Sequence, residues 1–260
     1  MSDLWTDLAT ELSHWQAAGL TATLWWRDDD AVSDTLALRR LSEVAAAPVA
    51  LAVIPAEMQP DLPQLLAATD AAPGLFVLQH GFRHQNYEPA ERKKAELGAA
   101  RPAAAVLAEL ATGWVMLQRS FGARALPVLT PPWNRIDAAV VAGLPQAGFR
   151  GITTYLPRRQ AEPVAGLRQV NTHVDIIDWH GTRGFLGTEP VLDLLLRHLR
   201  ARRQGAADIT EPTGLLTHHL VHDAACWSFL QRLQDWLSRH PVIRWLPPAM
   251  VFGLAPDRME

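Results

Sequence analysis

Seven short apolar runs recur along the chain, and stretches with helical spacing separate most of them. The runs are TATLWW (21–26), VALAVI (49–54), GLFVLQ (74–79), ALPVLT (125–130), GITTYL (151–156), RQVNTHVDIIDW (168–179) and TGLLTHH (213–219). Helical patterns occupy 35–46, 61–69, 102–121, 137–147, 190–203 and 224–240. A brief, nearly continuous apolar run is the mark of a strand buried on both faces, and strands that alternate with helices pair in parallel. The pattern predicts an α/β fold: a distorted barrel of about seven β/α units forming a single domain over 1–260. An open, doubly wound sheet is the alternative. The Ala-rich ELGAARPAAAVLAELA stretch favours helix, so no linker divides the chain.

Composition narrows the function classes. Of the 260 residues 20% are charged, with a formal net charge of −3, so the chain lacks the basic surface that nucleic-acid binding requires. The one basic cluster, RHLRARR (197–203), reads as the solvated face and last turn of a helix, where cations complement the dipole. Cys226 is the single cysteine, which excludes an internal disulfide and suits a small buried side chain. The first 19 residues are acidic and amphipathic, without the basic and apolar regions of a signal peptide, and no run of about 20 apolar residues could span a bilayer. The expectation is a cytoplasmic protein with neither a nucleic-acid nor a membrane partner.

Strand C-termini share one rim in parallel α/β folds, and sites form there. Polar residues gather at these positions: Asp28, Asp29 and Asp30 after the first run, His80 and His84 after the third, TPPWNR after the fourth, HVDIIDW in the sixth, and HHLVHD after the seventh. His80 and His84 are four apart, so a helical turn would aim both at one divalent ion. One carboxylate of the Asp28–Asp30 cluster can complete the ligand set, and the cation would offset the repulsion among three adjacent acids. Two imidazoles and one carboxylate leave coordination positions open, as catalytic sites do. A second aspartate could then serve as base, and His218 or His219 as acid. A rival ligand set lies in HHLVHD, where His218 and His222 are also four apart, although Asp223 suits a helix cap at 224. Two prolines stiffen the loop that presents Pro132, Trp133, Asn134 and Arg135. Strand alternation puts Asp175 and Trp179 on one face and Asp178 on the other.

These pieces, in this order, resemble the five motifs of the polysaccharide deacetylases, the family 4 carbohydrate esterases: RDDDA (27–31), HGFRH (80–84), TPPWN (130–134), DIIDW (175–179) and LTH (216–218). The resemblance implies a distorted (β/α) barrel, often of seven strands. It also implies a catalytic base followed by a metal ligand in the first motif, which is Asp29 and Asp30 if Ala31 takes the place of the motif glycine, or Asp28 and Asp29 one residue earlier. His80 and His84 would complete the ligands, His218 would be the general acid, and Trp179 and Leu216 would line a pocket for the acetyl methyl. Three departures stand out: Ala31 itself, the third aspartate, and Thr130 where the family carries an arginine that steadies the base, for which Arg135 or Arg27 could substitute. The implied activity is metal-dependent removal of an acetyl group from an N-acetylated sugar or related small amide, with zinc, cobalt, nickel or manganese as the ion. The substrate would be a small molecule or glycan. The alternatives are hydrolysis of a cyclic amide or ureide on the same barrel, and a catalytically degenerate barrel that binds a glycan.

Overall fold

The computed structural model describes residues 3–68 and 74–254. Its centre is β1 (Ala22–Ala31), longer than the apolar run that announces it, so the three aspartates belong to the strand rather than follow it. Both faces of β1 are covered, which is why Leu24, Trp25 and Trp26 can all be buried. To one side lie β2 (Val49–Val53), β3 (Leu75–His80), β4 (Ala125–Thr130), β5 (Gly151–Ile152) and β6 (Arg168–Gln169). To the other lie β8 (Thr213–Thr217) and β7 (Val174–Asp175), giving the order β6-β5-β4-β3-β2-β1-β8-β7 with every pairing parallel. A ninth strand, β9 (Ile243–Trp245), which the apolar pattern does not reveal, pairs with the start of β1.

The sixth run is not the single strand expected over 168–179. Its backbone changes partner midway. Val170 and Thr172 donate to Ile152 and Thr154 at one edge of the sheet (3.1 and 3.0 Å), whereas His173 and Ile176 donate to Gly214 and Leu216 at the other (2.8 and 3.4 Å). One extended segment therefore bonds both edges and curls the sheet into a distorted (β/α)7-type barrel. Asn171 sits at the changeover: its side chain accepts from Thr154 N–H (2.9 Å) and donates to the Leu156 carbonyl (2.7 Å), and its own carbonyl accepts from the Trp25 indole (3.0 Å). Beyond Asp175 the chain folds back, with Ile177 bridging antiparallel to Phe185.

Helices follow the strands as the pattern predicts, trimmed by their caps. α1 (Leu4–Ala17) precedes β1; α2 (Leu36–Val44), α3 (Asp61–Ala68), α4 (Ala103–Phe121), α5 (Ala138–Gly143), α6 (Thr188–Arg203), α7 (Ala224–Leu237) and α8 (Pro248–Val251) come after it. The end expected for α3, Thr69, lies outside the described residues. Thr35, Asp137 and Asp223 each accept a hydrogen bond from a first-turn N–H of α2, α5 and α7, so Thr35 and Asp137 cap their helices instead of joining them and Asp223 caps α7 as expected. Cys226 is buried as expected. The basic run 197–203 differs from expectation in two members, His198 and Arg202, which are buried. Arg202 is buried, donating to Thr23 and to the Ile209 carbonyl with its guanidinium 5.1 Å above the Trp15 ring, while Arg203 pairs with Glu11. Among the described residues no helix is long and apolar enough to cross a membrane.

Candidate functional site

A bulge at the end of β1 separates the three aspartates. The register against β2 shifts between Asp28 and Ala31, and Asp30 takes a left-handed conformation (φ 71°), which aspartate tolerates better than most residues. Each carboxylate consequently meets a different neighbourhood.

Asp30 faces the two imidazoles of the second motif: its Oδ1 lies 3.2 Å from His80 Nε2 and 3.5 Å from His84 Nε2. The histidines do not share a helical turn, as their spacing suggests. Instead Gly81 (φ +55°) and His84 (φ 54°) fold 81–84 into a tight irregular loop. Glu96 ties that loop, accepting from the backbone N–H groups of Phe82 (3.1 Å), Arg83 (2.7 Å) and His84 (3.1 Å), and burial raises its pKa. His80 Nδ1 lies 2.9 Å from the Thr130 carbonyl, which can only accept, so that nitrogen keeps its proton and Nε2 is left to take up a second proton or a metal ion. Burial opposes charge on all three groups. The neighbouring His80, His218 and His84 nonetheless hold Asp30 well below the ordinary carboxylate range, and Asp30 and Asp29 raise His80. His84 is lowered by burial and by His80, which favours its neutral form. Asp30 Oδ1 is buried and has no hydrogen-bond donor. An orphaned carboxylate oxygen beside two imidazole nitrogens, all within 4.8 Å of one another, is a donor set that fits a divalent cation.

Asp29 is gripped by Arg27, two residues earlier on the same strand. The guanidinium binds both carboxylate oxygens (2.8 and 3.0 Å) and also donates to Thr153 Oγ1 (2.9 Å), the Thr154 carbonyl (3.2 Å) and Asn134 Oδ1 (3.0 Å). The arginine is fully buried, so the fork is shielded from water, and Thr130, buried in β4, carries no charge to pair with Asp29. Of the two substitutes the sequence offers, Arg27 is at the site. Arg135 donates to the Lys94 carbonyl (2.7 Å) on the exposed side of its loop.

Asp28, buried, accepts from Thr217 and from His219, which leaves His218 as the histidine of the pair that faces Asp29, its Nε2 lying 3.8 Å from Asp29 Oδ2. The edge of the His218 ring meets Trp179 (4.6 Å between centroids), and the Trp179 indole donates to Asp175 (2.8 Å), so Asp175 and Trp179 do share a face. Burial raises the Asp175 carboxyl against the opposing pull of His218. Asp178 turns away and accepts from Gly181 and Thr182 backbone N–H. Leu216 sits on β8 in register between Arg27 and Asp175, buried at the same level of the barrel. Of the loop after β4, Trp133 (φ 54°) brings its ring to 4.5 Å from His84, Asn134 reaches Arg27, and Pro132 supports the loop from beneath Gly81. Nothing in the sequence marks Glu96 as part of the site, because it stands alone in the connection between β3 and α4.

The rival set does not assemble. Asp223 caps α7, and His222 packs against Trp227 (4.4 Å), burial lowering its pKa to about 4. A second group, His173, His198 and Glu211, is buried at the opposite end of β8. There Gly214 N–H donates to His173 Nδ1 (3.0 Å), which obliges a neutral His173 ring to carry its proton on Nε2, toward Glu211 (3.5 Å). A protonated nitrogen is no metal ligand, and the group is a buried polar network.

No protein-family model matches the sequence, and no curated protein matches it. Solved structures do match. A Mycobacterium smegmatis protein assigned to the polysaccharide deacetylases is 12% identical with a TM-score of 0.63, covering 90% of each chain. A peptidoglycan deacetylase from Bacillus subtilis is 12% identical with a TM-score of 0.54, over 90% of this chain and 91% of that one. A family 4 acetyl xylan esterase from Clostridium thermocellum, solved with a cobalt ion, is 11% identical with a TM-score of 0.51, over 89% and 91%. The chain thus has the fold shared by polysaccharide deacetylases and family 4 carbohydrate esterases.

Proposed function

We propose that the protein is a metal-dependent hydrolase that removes the acetyl group from an N-acetylated sugar or a related small amide. The observation that carries this reading is the convergence of Asp30, His80 and His84, with Asp29 and His218 paired next to them, 3.8 Å apart. Asp30, His80 and His84 would hold a divalent cation, which would supply Lewis acidity to the acetyl carbonyl and to the attacking water. Asp29 accepts the proton of that water, and Arg27 keeps its carboxylate oriented by binding both oxygens. His218 gives a proton to the departing amine, and Trp179 and Leu216 wall the space for the methyl group. The Thr130 carbonyl orients the His80 ring and Glu96 holds the His84 backbone, so both ligands are supported from behind. Zinc suits the donor set, as do cobalt, nickel and manganese. The grip of Arg27 on Asp29 speaks against a degenerate binding barrel, because it restores the support that Thr130 cannot give.

The test is metal analysis of the purified protein coupled to acetate release from a panel of N-acetylated sugars, with cyclic amides and ureides alongside. Replacing His80 or His84 with alanine abolishes metal binding and turnover together, whereas His218→Ala abolishes turnover and keeps the metal. A metal-loaded protein that releases no acetate from any N-acetyl or O-acetyl compound refutes the proposal.

A further inference from the structure

Asp28 is the residue left unexplained by the metal ligands and by the Asp29 base. It shares a strand face with Trp26 and is fully buried, where a carboxylate is costly unless its oxygens are satisfied. They are. Oδ2 accepts from Thr217 Oγ1 (2.6 Å) and from the backbone N–H of His219 (3.1 Å), and Oδ1 accepts from His219 Nδ1. The Trp26 indole adds a fourth bond, donating to Thr217 Oγ1 (2.8 Å). These contacts seize the residues immediately before and after His218 and none of them touches His218 itself. Thr217 ends β8 and His219 starts a 3-10 turn, so His218 is the hinge between two regular elements, in a non-helical conformation (φ −142°, ψ 86°). A ring at such a hinge stays in place only if both flanks are held.

We propose that Asp28 is a positioning residue for His218: it clamps the 217–219 turn so that the imidazole stands against Trp179 and beside Asp29. The role rests on the deacetylase reading above. An acid must lie within hydrogen-bond reach of the atom it protonates, and a displacement of about 1 Å at a reacting group can cost about a hundredfold in rate. His219, whose sequence position makes it an equal candidate for the acid, belongs to the clamp.

The experiment compares Asp28→Asn and Thr217→Val with the parent protein on two substrates. One is an N-acetylated amino sugar, whose amine cannot depart unprotonated. The other is an activated aryl acetate, whose phenolate departs without an acid. Asp28→Asn is expected to lower kcat on the amide by about 10–100-fold with KM and metal content unchanged, while aryl ester hydrolysis stays within about twofold. Thr217→Val moves in the same direction by less. In a His218→Ala background Asp28→Asn has no further effect on the amide, since it acts through the missing ring. The NMR resonances of the His218 ring shift or broaden in Asp28→Asn. Parallel loss on both substrates, or unaltered amide turnover, overturns the proposal. A metal-loaded parent protein that releases acetate from no N-acetyl or O-acetyl compound refutes the deacetylase reading instead, and an unmoved His218 resonance in Asp28→Asn then still overturns the clamp.

Discussion

Gly81 is the position where one added methyl group should dismantle the ligand set without touching a ligand. Its φ of +55° is left-handed, which costs a residue with a side chain about 1–2 kcal/mol. A Cβ there would also stand 2.0 Å from Glu96 Oε2 and 2.7 and 2.8 Å from the Pro132 ring. The Pro132 ring is fixed in the loop after β4, so the Glu96 carboxylate must move. It holds three backbone N–H groups, of Phe82, Arg83 and His84, and hydrogen bonds to a charged group contribute about 1.5–3 kcal/mol each. Loss of one such bond, with partial weakening of another, adds about 2–4 kcal/mol to the backbone strain. Gly19 supplies the control: it is left-handed too (φ +66°), but a Cβ there meets nothing within 4 Å. Gly19→Ala should therefore register the strain alone. Gly81→Ala should melt lower than Gly19→Ala by about 4–16 °C, at about 2–4 °C per kcal/mol for a chain of this size. Because Glu96 fixes the His84 backbone, zinc affinity measured by calorimetric titration should fall by about 10–100-fold in Gly81→Ala and stay unchanged in Gly19→Ala. A Gly81→Ala protein that binds zinc like the parent would refute the argument that Glu96 builds the His84 side of the site.

Two further outcomes follow from buried charge. Arg27→Met leaves the Asp29 carboxylate buried without its partner and should cost about 3–5 kcal/mol in urea denaturation; Arg27→Lys, which keeps the charge but not the fork, should cost less while still lowering kcat. His198 is buried beneath β8, stacked on His173, and burial together with His173 and Arg202 lowers its pKa to about 2. Unfolding frees that ring to take up a proton below its ordinary 6.5, so stability is intact above that value and drains as the pH falls toward 2, by about 2 kcal/mol between pH 7 and pH 5. Replacing His198 with glutamine should flatten this part of the acid limb in denaturant titrations at the two pH values, and an unaltered slope would count against a neutral buried ring.

The alternation of apolar runs with helical spacing was enough to give a parallel α/β fold, with a barrel preferred over an open sheet, because burial on both faces and helix amphipathicity are local properties of the chain. The cap at Asp223 was likewise readable, since a cap acts within its own first turn, whereas Thr35 and Asp137 were read as the first residues of helices that they in fact cap. The gathering of His80, His84, Asp30, Asp29 and His218 at one rim was legible too, because parallel strands deliver their C-terminal ends to the same side. Period alone could not say which aspartate does what. A bulge and one left-handed residue, each dependent on pairing with β2, turn Asp30 to the histidines, leave Asp29 to Arg27 and keep Asp28 for Thr217 and His219. Nor could it show that the run over 168–176 bonds both edges of the sheet, or that Glu96 reaches back to the HGFRH loop. Those outcomes rest on partners far away in sequence: a residue's own neighbours fix its conformational preference, whereas the groups that satisfy its charge and hydrogen bonds are chosen only when the barrel closes.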